Sequence, residues 1–243
     1  MIKFFRKIRY DLMGENPTSA NASAGAKTGK YFKYAIGEIV LVVIGILIAL
    51  GINNWNENRK NSQSEFVLLQ KLKEENSINI ESMESDIVYR NELPNILQSF
   101  NSFLKTKDLE TNNDSLQYYL SDIFRSTSYT FTQSNLINYI NLYNSKFSEL
   151  NKELSTLQSY QKDIQIISEK GIDIKIQNLF QVLKKDVDFN SLEISSYETL
   201  KSLEFRNDII IILSVEKEVT TQFNRTLKQM QKVDSLILKR LKN

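Results

Sequence analysis

Fourteen consecutive residues, Ile39 to Ile52, are all apolar or glycine. A surface helix buries one stripe and keeps the opposite face polar, and this run has no polar face. Counted from Tyr34 the segment reaches 19 residues, close to the ~20 that carry a helix across ~30 Å of hydrocarbon. Residues 34–52 therefore read as a transmembrane helix. A cleaved signal peptide is the competing reading, because Ala49-Leu50-Gly51 has the small-x-small form of a cleavage site. Against it, the leader ahead of Tyr34 is long for a signal. The Asn-Asn-Trp-Asn flank also suits an uncleaved anchor, with Trp55 as the interfacial residue at headgroup level.

Glu38 interrupts the apolar segment about one turn from its start. A carboxylate at the bilayer centre is costly, but near a helix end it reaches the interface. One reading has Glu38 snorkelling, paired with Lys33 or Lys30. The other has it buried against a partner helix. Gly45 and Ala49 form a small-xxx-small pair that allows close backbone approach, and Gly37 lies near the same face. Glu38, Gly45 and Ala49 are thus the candidate membrane-helix contact, to a protein partner or to a second copy of the chain.

Charge orients the segment. Residues 1–34 carry seven Lys/Arg against Asp11 and Glu15, a net +5, while the remainder carries −3. Seven basic residues precede the segment and four, Arg59, Lys60, Lys71 and Lys73, follow it within about 20 residues, so the positive-inside rule places the N-terminus in the cytoplasm and the larger part outside. Residues 1–33 divide further. "MIKFFRKIRYDLM" mixes Ile2, Phe4, Phe5, Ile8, Leu12 and Met13 with four basic residues, the pattern of an amphipathic helix on an anionic leaflet or of a frayed basic flank. "GENPTSANASAGAKTG" reads as a flexible linker.

Residues 53–243 form the outer domain. They contain one glycine, Gly171, and one proline, Pro94. All-β folds need many turn signals, so this tail is helical. The expected fold is mainly α: one N-terminal transmembrane helix followed by an extracytoplasmic helical bundle with long first and last helices. Phe66, Leu69, Leu72, Ile80, Met83 and Ile87 make one apolar stripe, predicting a first helix that ends before Pro94. A short helix then begins with Pro94 in its first turn. Short helices follow over "SLQYYLSDIF", capped by Asn113 or Asp114, and over "TQSNLINYINLY". A longer one carries Phe147, Leu150, Leu154, Leu157, Ile164 and Ile167 and ends near Gly171 as a C-cap. "IDIKIQNLFQVL" alternates like a strand at Ile172, Ile174 and Ile176 but reads as helix through Leu179, Phe180 and Leu183. The last helix starts at a Ser195/Glu198 capping box, or later at Asn207 or Asp208. From Ile209 through Leu213, Glu216, Thr220, Phe223, Leu227, Met230, Asp234, Ile237 and Leu241 it steps 4-3-4-3, a coiled-coil or bundle pattern.

No arrangement of catalytic residues emerges. Cysteine and histidine are absent, which removes thiol chemistry, the commonest general base and the commonest transition-metal ligand. Ser102-x-x-Lys105 and Ser214-x-x-Lys217 match a serine acyl-enzyme motif at the level of chance in a Ser/Lys-rich chain. Glu74-Glu75 and Glu81, Glu84 and Glu92 read as a solvated helix face. The tyrosines read as core rings with surface hydroxyls. No Gly-rich phosphate loop and no basic stripe for nucleic acid is present. The expectation is no enzyme, no cofactor, no metal and no nucleic-acid partner.

"MIKFFRKIR", then "KYFKYAIGEIVLVVIGILIALGINNWNENRKN" and the later "LEFRNDIIIILSVEKEVTTQFNRTLKQMQKVDSLILKRL", resemble a family of uncharacterised single-pass membrane proteins of Bacteroidota-type bacteria, a domain of unknown function. Gly51 stands where family members often carry Gln. The resemblance implies a Gram-negative inner membrane, so that residues 53–243 lie in the periplasm, and it lends no catalytic residues. The function expected is a membrane-anchored interaction or scaffold module. The alternative is a sensory or ligand-binding bundle that signals through a membrane partner.

Overall fold

The computed structural model describes residues 24–143 and 148–242, with side chains described from residue 35 onward. The N-terminal amphipathic segment, Lys30, Lys33 and Phe147 lie outside the described residues or side chains. The chain divides into two compact units, Met1–Ser62 and Gln63–Asn243. It is mainly helical, and among the described residues there is no strand, only a single antiparallel bridge between Val187 and Ile194.

Helix α1 spans Ala24–Glu84. In the first unit its most apolar 18-residue window has a mean hydropathy of 2.8 and none of it is buried by protein. Side chains from Ile36 to Ile52 face outward all round the helix. A globular fold does not leave such a surface bare in water.

The second unit uses the rest of α1 with α2 (Ile87–Thr106), α3 (Asn113–Phe124), α4 (Ser134–Tyr143), α5 (Glu149–Lys175) and α8 (Leu203–Lys242). A π-helical turn at Ile176–Phe180 and the short helices α6 (Gln181–Leu183) and α7 (Glu198–Lys201) connect α5 to α8. Two apolar cores form along the unit. One gathers Leu69, Leu72 and Met83 of α1 with Leu154, Leu157 and Ile164 of α5 and Phe223 to Ile237 of α8. The other gathers Leu93, Leu97 and Phe100 of α2 with Leu116 and Leu120 of α3, Leu179 of the π-helical turn, Leu183 of α6, and Phe205, Ile209, Ile212 and Leu213 of α8. The 4-3-4-3 register of α8 thus packs against helices of its own chain, serving both cores.

Several helix ends differ from the sequence reading. The first break falls at Ser85–Asp86, and Pro94 lies inside α2 rather than in its first turn. A proline there leaves the carbonyl of residue i−4 without its usual N–H. Thr220 Oγ1 of α8 lies 3.0 Å from that carbonyl, Arg90 O, and 2.8 Å from Glu216 O of its own helix, so its single proton is shared between the orphaned carbonyl and a bond within α8. Gly171 is not a C-cap: α5 continues to Lys175, and no glycine among the described residues has positive φ. A Cβ at Gly171 would lie 3.5 and 3.7 Å from Val215 and Val219 methyls, so the glycine sits where α5 and α8 approach closely. The Ser195/Glu198 box does not form. Ser195 bonds Asp186 O instead, and Ser202 Oγ accepts from Phe205 N at 3.0 Å to cap α8. Asn207 and Asp208 lie inside that helix. Neither Asn113 nor Asp114 caps α3: both lie within its first turn, and the N-cap position is Asn112.

Candidate functional site

Between the two apolar cores lies a buried ionic layer. Glu216 of α8 faces two cations from two other helices. Arg90 Nη1 of α2 lies 2.5 Å from Glu216 Oε2, and Lys175 Nζ at the end of α5 lies 2.9 Å from Glu216 Oε1. Arg90 and Lys175 are each 1% exposed and Glu216 4%. Such depth is rare for charged side chains unless they are paired.

The helices place these groups by register. Arg90 lies three residues before Leu93 and seven before Leu97 on the buried face of α2, Lys175 lies four residues beyond Gly171, and Glu216 stands seven residues before Phe223. The 125–129 loop closes the layer. Arg125 O accepts from Lys175 Nζ at 2.8 Å and from Tyr89 OH at 2.7 Å. Tyr129 OH accepts from Arg90 Nε at 3.1 Å, and Tyr129 N donates to Ser168 Oγ at 3.3 Å. The Arg125 side chain pairs with Asp86 and stacks on the Tyr89 ring, 4.0 Å from its centroid.

Two cations share one carboxylate here. Burial lowers the Lys175 ammonium below its ordinary value, and Glu216 opposes that shift. Burial also works against the Arg90 charge, but Glu216 and Tyr129 more than offset it and hold the guanidinium above its ordinary value. Burial raises the phenols of Tyr129 and Tyr89, so both stay protonated, Tyr89 donating to Arg125 O and Tyr129 accepting from Arg90. The space bounded by Arg90, Ser126, Thr127, Ser168, Lys175 and Glu216 does not admit a water-sized sphere. The layer therefore has no room for a substrate. Its chemistry is directional: a one-turn slip of α8, ~5.4 Å, would strip both cations of their carboxylate and strand them unpaired.

A second polar set ties α1 to α4. Both Glu75 carboxylate oxygens accept from the α4 N-terminus: Leu136 N at 3.0 Å, Asn135 N at 2.8 Å and Asn135 Nδ2 at 3.0 Å. The carboxylate satisfies donors that a helix start leaves without partners. Asn79 holds both the N–H and the carbonyl of Thr132. Glu75 is thus a buried cap rather than a solvated residue, while Glu74, Glu81, Glu84 and Glu92 are exposed. The tyrosine expectation is corrected in the same way, since the Tyr129 and Tyr139 hydroxyls are buried against Arg90 and Glu65.

Glu38, Gly45, Ala49 and Trp55 all lie on α1 in the first unit, and all are exposed. Seven and four residues separate Glu38, Gly45 and Ala49, so they share one face of the helix. A Cβ added at Gly45 or Gly37 would meet nothing within 4 Å. The Trp55 ring carries the Arg59 guanidinium 5.9 Å from its centroid. Ser102 and Ser214 bond back to carbonyls of their own helices, Gln98 and Ile210. Among the described residues no acidic cluster is arranged to hold a metal ion.

Sequence reasoning passed over Arg90 and Lys175. The signal lay in charged residues at core register: Glu216 was visible as a polar step in the α8 heptad and Arg90 stands between Ile87 and Leu93, whereas Lys175 shares its buried face with Gln161 and Ser168 and had no such contrast.

No curated protein and no solved structure matches the chain. The family model described as Family of unknown function (DUF6090) matches residues 38–217, well over half of the sequence, and the chain belongs to that family.

Proposed function

We propose that the chain is a membrane-anchored helical interaction or scaffold module. In this reading residues 34–52 cross a bacterial inner membrane, residues 1–33 are cytoplasmic and residues 53–243 form a periplasmic bundle. The observation that carries it is the apolar stretch of α1 left wholly uncovered by protein. The N-terminal basic excess supports the orientation, and the resemblance to single-pass proteins of Bacteroidota-type bacteria supports the compartment.

An interaction role draws support from the close packing of the second unit. Its most polar interior is filled by its own ion pairs and has no space for a ligand. The groove along Asp163, Ile167, Lys170, Glu218 and Gln222 is open and holds about 180 Å³, too shallow to enclose a drug-sized molecule. The buried layer then serves to hold the helices in one register, so that the outer surface is presented in a fixed shape. The experiment is purification of the full-length protein from gently solubilised membranes, beside Glu38→Gln. A stoichiometric partner or second copy that Glu38→Gln loses supports the module and its membrane-helix contact. A monomeric, partnerless preparation from both overturns the interaction reading.

A further inference from the structure

The connection from α3 to α4, residues 125–133, runs without helix as a strap over the ionic layer. Residues 126–132 make no main-chain to main-chain hydrogen bond among the described residues. Side chains of the surrounding helices hold the strap's main chain instead. Lys175 Nζ of α5 and Tyr89 OH of α2 donate to Arg125 O at 2.8 and 2.7 Å, and Ser168 Oγ of α5 accepts from Tyr129 N at 3.3 Å. Asn79 of α1 takes both groups of Thr132, accepting from its N–H at 3.2 Å and donating to its carbonyl at 2.9 Å. Two strap side chains are gripped as well. Arg125 pairs with Asp86, and Tyr129, 5% exposed, sets its ring 5.4 Å from that of Phe223. Phe131 is partly buried at the edge of the first core, whereas Ser126, Ser128 and Thr130 face solvent.

Resting on the interaction-module reading, we propose that the groove walled by Asn79, Tyr89, Ser168 and Lys175 is a polypeptide-binding groove, and that the strap is its built-in occupant. Main-chain bonds of this kind can be made by any sequence, and side-chain pockets then select among sequences. The strap itself displays the chemistry the groove accepts. The partner is a non-helical segment with a basic residue and, four positions later, an aromatic one, the spacing of Arg125 and Tyr129. Asp86 and the Tyr89 ring take the basic residue, as they take the Arg125 guanidinium. The slot beside Phe223 takes the aromatic ring. Lifting the strap removes the Tyr129 hydroxyl from Arg90 and the Arg125 carbonyl from Lys175 and Tyr89. A buried donor left without its acceptor is costly, so the open groove is stable only with a segment that returns acceptors at the same places. A segment arriving from solution must also displace a tethered one, and the strap thereby sets the threshold for binding.

The probe is a fluorescent synthetic peptide of residues 124–134, "FRSTSYTFTQS", added to the full-length chain in detergent. Tyr129→Ala in the chain removes the strap's ring anchor and leaves Asn79, Tyr89, Ser168 and Lys175 in place. The proposal expects the peptide to bind that variant at least ~10-fold more tightly than wild type, because the intact tethered strap competes at high effective concentration. The gain should vanish when Asn79→Ala is added to the chain, or when the peptide itself carries Tyr129→Ala, with the helical circular dichroism unchanged. Equal affinity for the variant and wild type, or binding indifferent to Asn79 and to the peptide's tyrosine, overturns it. Residue-resolved hydrogen exchange on the wild-type chain tests the strap without any variant. The bonded amides of Tyr129 and Thr132 should exchange by local opening well before the amides of α5. Exchange of both only with global unfolding overturns the strap as a displaceable occupant. A chain that binds no peptide and still co-purifies with a stoichiometric partner overturns the groove and leaves the module reading standing, so the two failures are distinct.

Discussion

Glu216 holds two cations that have no other carboxylate among the described residues, so its removal and its replacement as part of a set should differ. Glu216→Leu strands Arg90 and Lys175 in a dry layer, and breaking a buried pair this way costs ~3–5 kcal/mol. The triple replacement Arg90→Met/Lys175→Met/Glu216→Leu removes all three charges and should be neutral or more stable in urea unfolding, because desolvation no longer opposes folding. Thr220 poses a second residue-scale case. Its hydroxyl shares one proton between the carbonyl that Pro94 orphans and Glu216 O of its own helix, so Thr220→Val should cost ~0.5–1.5 kcal/mol. In a Pro94→Ala background the backbone N–H returns and that cost should shrink, which a double-mutant cycle reads directly. Lys175 adds a pH signature. Its folded-state pKa lies below the ordinary 10.5, so between the two values the unfolded chain holds more protons and stability from this group rises with pH. The stability difference between wild type and Lys175→Met should therefore move in favour of wild type as pH is raised toward 10.5. A flat or falling difference would mean that Lys175 is not burdened by burial.

At the scale of elements, the apolar stripes of α1 and α8 were legible because period 3.6 is imposed by burial on one face. Leu69, Leu72 and Met83 lie in the core, whereas Phe66 does not. Boundaries were less legible, because tertiary bonds override local signals. Pro94 ought to end a helix and instead sits within one whose orphaned carbonyl faces the Thr220 hydroxyl. Ser195 and Glu198 spell a capping box, yet the loop bonds of Ser195 to Asp186 win. Gly171 looked like a terminator and is instead a contact between α5 and α8. This distinction is measurable. A left-handed C-cap glycine is damaged by alanine, but here the new Cβ meets two valine methyls at ordinary contact distance, and alanine gains ~0.5–1 kcal/mol of helix propensity. Gly171→Ala should thus leave the melting temperature unchanged or higher.

For the whole molecule, the apolar segment and the helical character of the rest could be read from residue type alone, since neither depends on which distant residues meet. The ionic layer could not. Arg90, Lys175 and Glu216 are separated by 85 and 41 positions, and only the packing of three helices brings them together. In the proposed function residues 34–52 anchor the chain and the second unit lies across the membrane from the N-terminus. Single cysteines added to the cysteine-free chain, one at Ser19 and one at exposed Ser121, and labelled in intact spheroplasts with a membrane-impermeant maleimide, read this topology. The account predicts that the cysteine at 121 labels before lysis and the one at 19 only after it, with both in the carbonate-resistant membrane fraction. Labelling at 19 with protection at 121, or release of either protein into the soluble fraction, would contradict it.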